Sequence, residues 1–177
     1  MKKILLVGGA GYIGTVLTQH LLSKGFEVRC FDSLIYLQKS CIKNFKKKKN
    51  YEFILGDIRN EDMVKNSLKN TSAAIILAGL VGDPITKKYP KEAEEINHKA
   101  IKNFINLCKN KNVDKLLFIS TCSNYGLLKE NEMADENYKL NPLSSYAKQK
   151  VEIENYLISL KDKVDFSATI LRFATAF

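Results

Sequence analysis

Gly8-Gly9-Ala10-Gly11-Tyr12-Ile13-Gly14 is the stretch whose reading decides the fold. It follows the apolar run Ile4-Leu5-Leu6-Val7 and opens a segment of helical period, so Gly8, Gly11 and Gly14 have GxxGxxG spacing between a strand and a helix. In such a turn one glycine permits the tight bend, another lets an anion approach the backbone, and the third lets helix and strand pack closely. Unpaired N–H groups and the dipole at the helix start then favour a pyrophosphate. A glycine cluster alone also suits a flexible turn that binds nothing. Its position between strand and helix points to a dinucleotide.

Outward from this turn, apolar runs of strand length alternate with segments of helical period along almost the whole chain, as in successive βαβ units. The expected class is α/β, a doubly wound parallel sheet with helices on both faces. Strands are expected at residues 3–7, 27–31, 51–55, 73–77, 115–120 and 165–171, and helices at 12–23, 34–45, 60–68, 91–110 and 144–160. In the helix at 91–110, Ile96, Ala100, Phe104 and Leu107 recur at three- and four-residue steps, giving one apolar stripe that faces the sheet or another subunit. No repeat or Gly/Ser/Pro-rich linker divides residues 1–177, which read as one domain.

Of the 177 residues, 45% are hydrophobic and 27% charged, with three prolines, a composition that excludes disordered, collagen-like and disulfide-scaffold classes. The apolar runs fall short of the roughly 20 residues of a membrane-spanning helix. The glycines soon interrupt the apolar stretch that a signal peptide would need, so a cytoplasmic protein is expected. The formal charge is +9, but only Arg29, Arg59 and Arg172 are arginines, and the lysines at 46–49 lack helical or aromatic interleaving. That favours a solvated surface over a nucleic-acid partner. The positive field could still attract a phosphorylated substrate. Cys30, Cys41, Cys108 and Cys122, with His20 and His98, lack metal-ligand spacing, so reduced, mostly buried thiols and no metal are expected.

Asp32 ends the second strand, where a carboxylate can accept from adenosine ribose hydroxyls and repel a 2′-phosphate. Ser33, Leu34 and Ile35 follow it rather than an arginine, favouring NAD over NADP. The alternative is a turn cap. Tyr146 and Lys150 stand at i and i+4, on one helix face, where an ammonium favours phenolate and brings tyrosine toward neutral pH for proton exchange with a sugar hydroxyl or carbonyl. Alone, the pair also fits a surface contact. A row of small polar residues, Ser120-Thr121-Cys122-Ser123-Asn124, lies at the carboxyl end of a central strand, where such sheets bind ligands. Ser123 and Asn124 also suit a turn cap.

With these motifs in view, the chain resembles the extended short-chain dehydrogenase/reductase family, which contains NAD-dependent nucleotide-sugar epimerases, dehydratases and reductases. The resemblance rests on residues 8–14, Asp32, Asp57-Ile58, Leu77-Ala78-Gly79, Asn97, residues 120–126, Tyr146 to Lys150, and Leu171-Arg172-Phe173. It implies a Rossmann fold with NAD held by Gly8, Gly11, Tyr12, Ile13, Gly14, Asp32, Asp57, Ile58, Leu77, Ala78, Gly79, Asn97, Tyr146 and Lys150. Within that set Asp57 and Ile58 would flank the adenine, and Asn97 would support the active site. Tyr146 would be the acid/base, Lys150 would bind the nicotinamide ribose and lower the tyrosine pKa, and Thr121 would contact the substrate hydroxyl.

Family dehydratases place an acidic pair after the catalytic threonine, and the decarboxylases keep a glutamate there. Cys122 and Ser123 stand here instead, favouring epimerisation or simple oxidation and reduction over dehydration. The resemblance further implies a nucleotide-sugar substrate, and a homodimer through the helices near 91–110 and 144–160. It also implies truncation before a C-terminal substrate domain, the isolated chain then being inactive. The alternative readings are a sugar-nucleotide dehydratase, or a non-catalytic NAD-binding domain if the native chain ends at Phe177.

Overall fold

The computed structural model describes residues 3–37, 40–109, 111 and 113–174. Six strands form one parallel sheet: β1 (Lys3–Val7), β2 (Glu27–Asp32), β3 (Tyr51–Leu55), β4 (Ala73–Ile76), β5 (Lys115–Thr121) and β6 (Ser167–Phe173). Their order is β3-β2-β1-β4-β5-β6, so the chain winds outward from β1 in one direction, returns, and winds outward in the other. β1 pairs with β2 from Lys3↔Glu27 to Val7↔Phe31, and with β4 from Ile4↔Ala73 to Val7↔Ile76.

Strand periodicity builds the two layers. Leu5 and Val7 of β1 join Phe31, Ile76 and Phe118 in one core, while Ile4 and Leu6 join Val28 and Ile75 in the other. On the first face lie α3 (Glu61–Ser67), α6 (Ile101–Cys108) and α7 (Ser145–Ser159), which supply Val64, Phe104, Ile105, Ile153 and Leu157. On the second, α1 (Tyr12–Ser23) supplies Leu22. Buried Arg29 ties β2 to the end of α3, its Nη1 donating to the carbonyls of Ser67 at 2.7 Å and Lys69 at 2.6 Å.

The expected helix at 34–45 shrinks to α2 (Ser40–Lys43). Leu34 and Leu37 have φ of 53° and 57°, left-handed turn conformations that a helix cannot contain. Residues 38 and 39 of that span, and Asn110 of the helix expected at 91–110, lie outside the described residues. That latter helix begins earlier, with α5 (Pro90–Ala93), passes through a π-wound segment (Glu94–Ala100), and continues as α6. A short helix not anticipated from the sequence, α4 (Asp83–Lys88), starts at Asp83-Pro84, with proline in its favoured first turn.

Candidate active site

Parallel strands carry all their carboxyl ends to one edge, and the winding reverses between β1 and β4. A crevice must open there, and a cleft of about 1090 Å³ does. Fourteen of the fifteen expected site residues line it: Gly8, Gly11, Tyr12, Ile13, Gly14, Asp32, Asp57, Ile58, Leu77, Ala78, Gly79, Thr121, Tyr146 and Lys150.

The glycine turn forms one wall. Gly8 has φ +81°, and a Cβ on it would stand 2.5 Å from the Ala78 backbone nitrogen, so this glycine serves both the turn and the junction with β4. Gly11 differs: its Cβ would meet only the Gly8 carbonyl, at 3.5 Å, and otherwise occupy open cleft. It also caps α1 without a side chain, leaving first-turn N–H groups for an anion. A pyrophosphate fits that backbone surface.

Asp32 does two jobs. One carboxylate oxygen accepts from the Ala10 N–H at 2.9 Å, the other from the Leu34 N–H at 2.7 Å. It therefore caps the following turn and braces the glycine loop while still lining the cleft, where its remaining lone pairs suit ribose hydroxyls. Arg59, missed in the sequence, lines the cleft beside Asp57 and forks onto its carboxylate, with Nη2 at 2.6 Å. These hydrogen bonds hold the Asp57 carboxyl below the usual carboxylate range. The signal was the sequence Asp57-Ile58-Arg59, one residue beyond the end of β3.

Asn97 is the exception: it is fully buried behind the cleft wall and lines none of it. Its Oδ1 accepts from the Leu80 N–H at 2.7 Å and its Nδ2 donates to the Leu80 carbonyl at 2.9 Å. It clamps the loop that follows β4, so its service to the cleft is indirect. The π winding at Glu94–Ala100 carries this asparagine, as π turns often do at functional positions.

Tyr146 and Lys150 project from one face of α7, whose N-terminus is capped by Ser144 accepting from the Ala147 N–H at 3.1 Å. Lys150 Nζ donates to the Ile119 carbonyl at 2.8 Å and lies 4.6 Å from the Phe118 ring centre and 5.8 Å from that of Tyr146. Burial pushes Lys150 down to about 8 and the Tyr146 phenol up to about 12. The phenol thus moves opposite to the expectation from its lysine neighbour, because desolvation of a phenolate outweighs an ammonium that is itself bonded to a carbonyl.

Thr121 ends β5, and its Oγ1 accepts from the Ser123 N–H at 3.1 Å, making it the cap of the short turn Cys122–Tyr125. Of the four thiols, all free, Cys30 and Cys108 are buried, Cys41 is partly covered, and Cys122 is exposed in the cleft. A second residue the sequence reading missed is Glu154, fully buried on α7 and held by Ser120, Asn124 and Arg172. A carboxylate at i+4 from Lys150 amid the apolar face of α7 was the available signal. Among the described residues no helix is long and apolar enough to cross a membrane, and no His/Cys/Asp/Glu cluster could hold a metal ion.

A solved structure of the UDP-Glc/GlcNAc 4-epimerase from Campylobacter jejuni superposes with a TM-score of 0.90 at 26% identity, covering 97% of this chain and 53% of that one. The UDP-glucose 4-epimerase of Thermus thermophilus, solved with NAD, superposes at 0.87 and 27% identity over 96% and 54%. In sequence, the bifunctional UDP-glucose 4-epimerase and UDP-xylose 4-epimerase 1 of Pisum sativum is 28% identical over 97% of this chain and 51% of its own length. The chain thus spans about half the length of the relatives it matches. The profile of the NAD dependent epimerase/dehydratase family matches residues 4–177, and the chain belongs to that family.

Proposed function

We propose that this chain is the cofactor-binding and acid/base portion of an NAD-dependent enzyme that epimerises a hydroxyl-bearing carbon of a nucleotide-activated sugar. The observation that carries the reading is the convergence of Tyr146, Lys150 and Thr121 on one cleft with Gly11 and Asp32. The first-turn N–H groups of α1 bind the pyrophosphate, and Asp32 accepts from the adenosine ribose. Lys150 reaches the nicotinamide ribose, exchanging its bond to Ile119 for one to a hydroxyl. When bound, the nicotinamide supplies hydride acceptance and return.

Thr121 orients the sugar hydroxyl and Tyr146 takes its proton, returning it to the same oxygen after the resulting ketone has turned its other face to the cofactor. With oxidised nicotinamide bound, its positive charge would act together with Lys150 to favour phenolate. Among the described lining residues the acids are Asp32, Asp57 and Asp83; at the Thr121 end stand Cys122 and Ser123. Elimination of water needs an acid there, so epimerisation is favoured over dehydration. The names of the three relatives given above, 4-epimerases of UDP-sugars, support the same choice. Pairing of two copies through the helical faces of Pro90–Cys108 and α7 belongs to the proposal, and light scattering tests it.

The deciding experiment combines NAD calorimetry with an NMR assay of UDP-glucose and UDP-galactose interconversion. In the full-length enzyme, Tyr146→Phe should keep NAD affinity within about threefold while turnover falls by about 10²-fold or more, the usual scale of a lost general acid/base. A folded chain that does not bind NAD, or a Tyr146→Phe variant with unchanged turnover, would refute the reading.

A further inference from the structure

We propose that Glu154 is a positioning residue for the Tyr146–Lys150 pair, a buried carboxylate surrounded by donors that supports the Lys150 side chain in its ammonium form. Lys150 and Glu154 are i and i+4 on α7, and both reach the same strand: Lys150 Nζ donates to the carbonyl of Ile119, and Glu154 accepts from the hydroxyl of the next residue, Ser120. Both are almost sealed from solvent, at 4% and 0% exposure. At that depth solvent screens their attraction little.

The charge state of Glu154 follows from its partners, every one of which is a donor. Ser120 Oγ and Asn124 Nδ2 donate to Oε1, the latter at 2.7 Å, while Arg172 donates through Nε at 3.1 Å and Nη2 at 2.7 Å to Oε2. A protonated carboxyl would need one of these groups to turn round and accept, and Arg172 has donors only. Asn124 gives an independent indication. Its Oδ1 is buried without a partner, a costly arrangement that arises because the amide turns its nitrogen toward Glu154. A neutral carboxyl would let the amide turn over and accept.

Arg172 is the direct ion partner of this carboxylate, and its remaining Nη1 donates to the Tyr125 hydroxyl at 3.1 Å and the Glu136 carbonyl at 3.2 Å. The other groups around α7 are accounted for as follows. The π-wound segment brings Glu94 to Gln149 and His98 to Glu152. α4 carries Asp83, Lys87 and Lys88. From α6, Lys102 stacks on Tyr156, as does the adjoining Lys109. β5 presents Phe118, Ile119 and Ser120 to Lys150 and Glu154. Burial drives Lys150 down to about 8, and the charge of Glu154 acts against that fall.

The consequence for turnover rests on the reading of Tyr146 and Lys150 proposed above; the charge coupling does not. The test therefore uses the chain without NAD or sugar. Lys150 Cε and Glu154 Cδ are followed by ¹³C NMR across pH 6–11, with near-ultraviolet circular dichroism as the fold control. In the wild type, Glu154 Cδ should shift at the Lys150 midpoint, because the carboxylate feels the ammonium one helical turn away lose its charge. Glu154→Gln should lower the Lys150 midpoint by about one unit or more, a tenfold loss of proton affinity, and Glu154→Asp should restore most of it. A folded Glu154→Gln variant with the wild-type midpoint would overturn the proposal. Where that variant does not fold, the wild-type spectrum decides, and a Glu154 resonance flat through the Lys150 transition overturns it equally.

Discussion

Replacing Lys150 by methionine should make the protein more stable at neutral pH while disabling the cleft. Burial lowers this lysine from its ordinary 10.5 to about 8. That fall of about 2.5 units corresponds to about 3 kcal/mol of destabilisation while the side chain is charged. Methionine has similar length without the charge, and its loss of the hydrogen bond to Ile119 costs about 1 kcal/mol, leaving a net gain of about 2 kcal/mol at pH 7. The pH dependence supplies the sign. Between about 8 and 10.5 the unfolded chain binds a proton that the folded chain does not, so wild-type stability rises with pH through that window. Lys150→Met loses this rise. Urea unfolding at pH 7.5 and 9.5 should show the wild type gaining roughly 2 kcal/mol relative to the variant. Cys30 and Cys108, pushed up to about 12 by burial, act in the opposite direction above pH 9, but equally in both proteins. A variant no more stable than wild type at pH 7, with a parallel pH profile, would refute the reasoning.

Two glycines should separate binding from folding. Gly11→Val should leave the thermal midpoint nearly unchanged and weaken NAD at least about tenfold in calorimetry, since its side chain enters open cleft. Gly8→Ala should destabilise by about 2 kcal/mol or more in urea, having a left-handed φ and a backbone nitrogen in its path. Asn97→Ala strips partners from the Leu80 N–H and carbonyl and should cost about 2–4 kcal/mol by denaturant unfolding, with NAD affinity falling as the loop loosens. Of the four thiols, Cys122 should react first with a disulfide reagent and be slowed by NAD, whereas Cys30 and Cys108 should react only on unfolding.

The sheet was legible because strands covered on both sides leave continuous apolar runs, and β1 and β3 fall at their expected residues. The glycine turn was legible for the same positional reason. Residues 34–45 misled because leucines and isoleucines there mimic helical spacing, whereas the Asp32 carboxylate captures the Leu34 N–H and bends the chain into a turn. Asn97 could be identified as a site residue, but not placed. Whether it faces the cleft or stands behind it depends on the π winding at Glu94–Ala100, which leaves no mark in hydrophobic period. The direction of the Tyr146 shift was equally hidden, because spacing reveals the neighbouring cation but not the depth of burial, which dominates.

Burial of Lys150 is itself an argument about function. Its side chain packs over Phe118, beneath a cleft and beside a core in which leucine or methionine would serve stability better. Its ammonium finds a backbone carbonyl and, one turn along α7, a carboxylate already engaged by Arg172, so its charge is supported without being fully neutralised. Tyr146, one turn the other way, is likewise held where its ionised form is disfavoured. A buried lysine close to losing its proton and a buried phenol held neutral both respond strongly when a charged ligand enters the space between α7 and the glycine turn. A solvent-exposed Tyr/Lys pair at the same spacing would respond far less, because water would screen both. The same four-residue step therefore carries chemistry here through the depth at which the sheet holds it.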